Sequence, residues 1–128
     1  MSAEPPRPTD AELEILTVLW SIGPATVRGV YDAISRRRPV QYSTVLKFMQ
    51  IMAEKGLVRR DQKQRAHIYR ASRTRERTQQ QLAGDLLERA FAGSAKALLV
   101  GALSAGKTTK DELAEMRQLL DEYRRGKK

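Results

Sequence analysis

Ser43, Thr44, Lys47 and Gln50 are the residues whose types and spacing carry the clearest chemistry. Helical geometry puts them on one face, opposite a stripe of Val45, Phe48/Met49 and Met52. Hydroxyls suit phosphates or base edges, glutamine suits adenine, and lysine suits guanine or phosphate. Tyr42, just ahead, offers a phenol to a phosphate. Lys63, Gln64, Arg65 and His67 cluster near a turn, where phosphates or a minor groove could meet them. Thr26, Arg28 and Arg38 precede the same helix and join the candidate set for DNA contact.

Charge supports this reading. The 128-residue chain has 24 Lys plus Arg against 15 Asp plus Glu, a formal net charge of +9. Most of the excess falls between Arg36 and Arg70, where the acidic residues are Glu54 and Asp61 alone. A solvated basic face is the bland explanation of any charge run. Here the run brackets a polar helix face, so a polyanion is the expected partner.

Other chemistries find little support. Cysteine is absent, which excludes disulfides, thiolate metal sites and cysteine nucleophiles. His67 is the one histidine, with no cluster of metal ligands around it and no nucleophile paired to it. Gly101-x-x-x-x-Gly106-Lys107-Thr108 matches the letters of a phosphate loop, but an Ala/Leu-rich helical segment precedes it where a buried strand is needed. No enzyme activity, metal or cofactor is expected.

The elements that must position these residues can be read from caps and periodicity. Residues 1–8 are proline-rich and read as a disordered lead-in. Thr9-x-x-Glu12 is a capping box opening a first helix with Leu13, Ile15, Leu16, Leu19 and Trp20 on its apolar face. Gly23-Pro24 ends it. Thr26 caps a second helix that stops before Pro39. The third helix covers about 42–55, with Gly56 as its stop. Leu57–Asp61 and His67–Ala71 then alternate as a hairpin.

Beyond Ser72 the pattern turns wholly helical. A long helix over 74–91 carries Leu82 and Leu86, and a short one over 95–104 carries Leu98, Leu99 and Leu103. A second capping box, Thr109-x-x-Glu112, opens a last helix with Leu113, Met116 and Leu120. Three apolar stripes with no sheet of their own call for a second subunit. The expected architecture is mainly α: a winged helix-turn-helix domain over 9–71 with a small β-hairpin wing, then a helical dimerisation tail over 72–128. The N-terminus has no apolar signal region and no run is long enough to span a membrane, so a cytoplasmic protein is expected.

A family resemblance rests on several segments together. Thr9 to Leu16 with Leu19-Trp20, Ala25 to Tyr31, Tyr42 to Leu46, Glu54 to Val58 and Arg65 to Tyr69 resemble the penicillinase/methicillin-resistance repressor family, the BlaI/MecI/CopY group. The likeness covers about residues 9–124. It implies a winged-helix repressor that binds a palindromic operator as a homodimer, with Tyr42, Ser43, Thr44 and Lys47 on the recognition helix and Arg65 and His67 on the wing. Ile51 stands where relatives often have arginine, which implies a different operator preference. In antibiotic-responsive members a membrane metalloprotease pathway leads to cleavage at an Asn-Phe bond. The counterpart here, Val100-Gly101-Ala102, lacks that pair, and the cysteine cluster of the copper-responsive branch is missing too. A winged-helix module that binds protein through an apolar patch around Leu46 and Ile51 is the alternative.

Overall fold

The computed structural model describes residues 5–63 and 65–126, and Gln64 lies outside them. Element order is α1 Asp10–Ile22, α2 Val27–Ser35, α3 Tyr42–Lys55, β1 Val58–Asp61, β2 Ile68–Ala71, α4 Arg75–Phe91, α5 Ala95–Ser104 and α6 Lys110–Arg124. The fold class is that expected, mostly helical with one two-stranded antiparallel hairpin. Two compact units divide the chain between Ala83 and Gly84.

Local signals set the helix boundaries of the first unit. Thr9 Oγ1 accepts the Glu12 N–H while the Glu12 carboxylate accepts the Thr9 N–H, closing the capping box of α1. Gly23 stops that helix at a φ of 88°. Thr26 Oγ1 accepts the Gly29 N–H at 3.0 Å and starts α2. Gly56 ends α3 in the left-handed region, which costs a residue without Cβ nothing.

The three helices bury one face each around a common core. Ile15, Leu16 and Leu19 come from α1, Val30 and Ile34 from α2, and Val45, Met49 and Met52 from α3. The hairpin closes it with Val58 and Tyr69. Its register pairs Val58 with Ala71 and Arg60 with Tyr69. Tyr69 also exchanges both backbone hydrogen bonds with Ala25, at 3.0 and 2.8 Å. The extended link after α1 thus serves as a third, one-residue strand that pins the wing to the helices.

The first unit runs past the 71/72 boundary read from the sequence. The Trp20 indole N–H donates to the Arg73 carbonyl at 3.0 Å, and the Arg75 guanidinium sits 5.9 Å from the centre of that ring. Thr78 is buried, and the Gln81 amide donates to the Pro5 carbonyl at 3.0 Å. The first half of α4 is therefore part of the winged-helix unit, and Leu82, expected in the tail, falls on this side of the division. Pro5 is half-buried and Pro8 buried while Pro6 and Arg7 are exposed, so the described part of the lead-in is packed at these two prolines; residues 1–4 lie outside the described residues.

The second unit has a different character. Ala92 and Gly93 both take positive φ as α4 ends, with the Gly93 N–H bonded to the Leu87 carbonyl. Ser94 and Thr109 cap α5 and α6 through their hydroxyl oxygens. Neither helix contains a buried residue. Their leucines form instead an open apolar groove of about 450 Å³ lined by Leu99, Leu103, Leu113, Met116 and Leu120. Leu86 is exposed as well, and Leu98 is half-buried.

Candidate nucleic-acid interface

The outward face of α3 is polar because its inward face is fully used. Met49 and Met52 have no accessible surface and Val45 very little. Ser43, Thr44, Lys47 and Gln50 consequently all face solvent. Leu46 and Ile51 are half-buried, and Tyr42 is the large hydrophobic residue of α3 that stands exposed, at 41%.

Tyr42 is held by α2. Its ring meets Tyr31 edge-on, with centroids 5.6 Å apart and planes at 69°. Arg28 places its guanidinium 5.5 Å from the Tyr31 centroid and its Nε 3.5 Å from Asp32. The Tyr31–Tyr42 pair ties the start of α3 to α2, and the Arg28 cation over the Tyr31 ring supports that ring from within α2.

Between the start of α2, the face of α3 and the wing lies a cleft of about 380 Å³. It brings together Thr26, Arg28, Tyr42, Gln50, Arg65 and His67 from the residues singled out in the sequence. Ser43, Thr44 and Lys47 occupy the open face of α3, outside the cleft lining. Lys63 is exposed at the wing tip, where its backbone N–H bonds Asp61 Oδ1 at 2.9 Å. Among the described residues no carboxylate lines the cleft. The arrangement presents N–H and O–H donors with positive charge, which suits phosphates and base-edge acceptors.

Two of the candidates have structural duties. The Thr26 oxygen accepts the capping bond of α2. Arg38 lies apart from the cleft and grips Glu14 with two bonds, Nη2–Oε1 at 2.6 Å and Nε–Oε2 at 3.2 Å. That pair ties the loop after α2 to α1. The Arg38 guanidinium holds the Glu14 carboxyl below the usual carboxylate range, against a smaller opposing effect of burial.

Arg60 is the residue that sequence reasoning passed over. It lines the cleft and pairs across the hairpin with Tyr69. With the Gln62 amide oxygen turned toward it, Arg60 Nε and Nη2 donate at 3.1 and 2.8 Å. A signal existed: with Val58 inward, period-two alternation puts Arg60 on the same face of β1, toward α3. Among the described residues no group of acidic and histidine side chains could hold a metal ion, and no helix is long and apolar enough to cross a membrane.

Known proteins resemble this chain in sequence and fold. The transcriptional regulator BlaI of Mycobacterium tuberculosis is 35% identical over 119 residues, spanning 91% of this chain and 85% of the relative, in each of two strains. The solution structure of monomeric Bacillus licheniformis BlaI in complex with the blaP half-operator aligns with a TM-score of 0.50 at 20% identity. It covers 57% of this chain and 89% of that one, and it supports the winged-helix fold. The penicillinase repressor family model matches residues 8–122. With nearly the whole chain matched and the winged helix in place, the protein belongs to the penicillinase repressor family of transcriptional regulators.

Proposed function

We propose that the protein is a homodimeric repressor that binds palindromic operator DNA, with one α3 in each of two successive major grooves. One observation carries the reading: α3 exposes Ser43, Thr44, Lys47 and Gln50 over a sealed apolar underside, beside a cleft lined by Arg28, Arg60 and Arg65. The solved relative in complex with a half-operator supports it. In this reading Tyr42, Lys63, Arg65 and His67 contact the backbone, and Arg28 and Gln50 close the edge of the contact. The protein works without a cofactor and is not an enzyme. It blocks transcription by occupying the operator.

The exposed leucines of α5 and α6 support the dimer, because a soluble chain rarely leaves such a stripe uncovered. Release through a membrane metalloprotease pathway would act on the second unit. Residues 100–102 sit inside α5, so cleavage there requires that helix to open first. The protein-binding alternative is less supported, since Leu46 is packed against the core and Ile51 is half-buried.

Fluorescence anisotropy with duplexes from the region upstream of the protein's own gene tests the reading. A palindromic segment should bind far more tightly than scrambled duplex, and affinity should fall steeply with salt. Equal, salt-insensitive affinity for both duplexes would sink it.

A further inference from the structure

At the C-terminal end of α3 the first unit carries a second basic depression, of about 770 Å³. Arg59 and Arg60 reach it from β1, Arg77 from the first turn of α4, and Ser72 and Arg73 from the link between β2 and α4. Among the described residues that line it there is no carboxylate. Glu54 lies in an adjoining depression shared with Gln50 and Arg60, and Asp61 is engaged by the Lys63 N–H. Positive charges around one depression repel each other, and a bound anion offsets that repulsion.

A second observation points to a ligand rather than to a merely solvated patch. Ser72 Oγ is buried and has no hydrogen-bond partner among the described residues. Buried hydroxyls are nearly always paired, so a lone one calls for a reason. A hydroxyl donates readily to an oxyanion, and the planar arginine fork matches two oxygens of a phosphate group. The geometry points to an oxyanion-binding site in this depression, with Ser72, Arg59 and Arg77 as its donors and a phosphate group as its ligand.

This site is distinct from the face proposed for the operator. The 14 residues of α3 span roughly 20 Å, with Tyr42 and Ser43 at one end and the depression at the other. Arg60 is the shared member, since it lines both the depression and the cleft. An anion that draws Arg60 toward the depression withdraws a donor from the cleft, so occupancy and DNA affinity are coupled through one side chain. The phosphate has two sources: a free phosphorylated small molecule, or a phosphodiester of DNA that continues past the end of α3.

Calorimetric titration of the full chain with inorganic pyrophosphate, against chloride of matched ionic strength, tests the site. Saturable binding is expected. Changing Arg59→Ala and Arg77→Ala together should weaken it about tenfold or more, and Ser72→Ala by severalfold. Lysine at positions 59 and 77 keeps the charge without the fork and should recover only part of the loss. Arg36→Ala with Arg37→Ala, an exposed basic pair away from the depression, should leave binding intact. Heat no different from that of chloride, or equal affinity in the 59/77 alanine pair, overturns the site.

Operator titrations of the same variants separate the sources. Lost DNA affinity with a salt slope smaller by about one or two contacts assigns the phosphodiester. Unchanged DNA affinity with lost pyrophosphate binding assigns the free ligand. The pyrophosphate measurement contains no DNA, so it stands whether or not the operator reading does.

Discussion

Lys55 Nζ lies 2.7 Å from Glu12 Oε2, joining the last residue of α3 to the first turn of α1. Glu12 is 1% exposed, and its other oxygen accepts the Thr9 N–H. One carboxylate therefore closes a helix cap and anchors α3 at once. Burial works against its charge. The Lys55 ammonium and the Thr9 donors outweigh that penalty together and leave the carboxyl below its usual range.

The sign of the pH dependence follows. A carboxyl with a depressed folded pKa adds stability that is present above its unfolded value, about 4.3, and is lost as pH falls through the folded value. Glu14 is shifted the same way by Arg38. The melting temperature should be level from neutral pH to about 5 and then fall as acid is added. Glu12→Gln should lower stability by about 2–4 kcal/mol at neutral pH, toward the low side because Lys55 is partly exposed. It should also flatten the acid limb. Melting curves from pH 3 to about 7 check both, and a Glu12→Gln protein with the full acid limb would contradict the assignment.

Lys47 and Arg38 separate two roles that charge alone confuses. Lys47 is exposed on the open face of α3, with no ion-pair partner among the described residues. Lys47→Ala should weaken operator binding by about 1–2 kcal/mol, roughly tenfold, and reduce the salt slope by about one contact. Its melting temperature should hardly move. Arg38→Ala should do the reverse, lowering the melting temperature while costing less DNA affinity than Lys47→Ala. Anisotropy and thermal melts on the two variants decide it. Arg38→Ala as harmful to binding as Lys47→Ala would return Arg38 to the contact face.

The end of the winged-helix unit gives a third prediction. A fragment of residues 1–83 should melt well above one of residues 1–71, because the shorter one loses the Trp20–Arg73 bond, the buried Thr78 and the Gln81–Pro5 bond. Each of these part-buried hydrogen bonds contributes about 0.5–1.5 kcal/mol net, and together they are a large share of a small domain's stability. Trp20 emission should also shift to the red in the shorter fragment as its indole meets water. Equal melting of the two fragments would restore the 71/72 boundary.

That boundary shows where sequence legibility ends. Thr9, Thr26, Gly56 and Thr109 mark helix ends from the sequence because capping is decided within four residues. The polar face of α3 is equally legible, since it follows from the period of Val45, Met49 and Met52. Trp20 to Arg73, Ala25 to Tyr69 and Arg38 to Glu14 are contacts between segments distant in the chain. Nothing in local periodicity encodes such contacts. Arg38 looked like part of a basic run because its partner sits on another helix, and Arg60 was overlooked because its placement depends on the hairpin register.

Leu120 offers the sharpest test of dimerisation. It is 57% exposed in α6 and lines the open groove with Leu99 and Leu103. If a second copy covers this face, a charge there must be desolvated on association, which is costly without a partner ion. In the lone chain the same position already meets water, so the substitution should leave the fold intact. Leu120→Asp should therefore give a folded monomer by sedimentation at concentrations where the parent protein dimerises. Its affinity for a palindromic duplex should drop toward that for a half-site, because the two α3 helices no longer bind as one linked pair. A Leu120→Asp protein that sediments as the parent does would move the dimer contact off this groove.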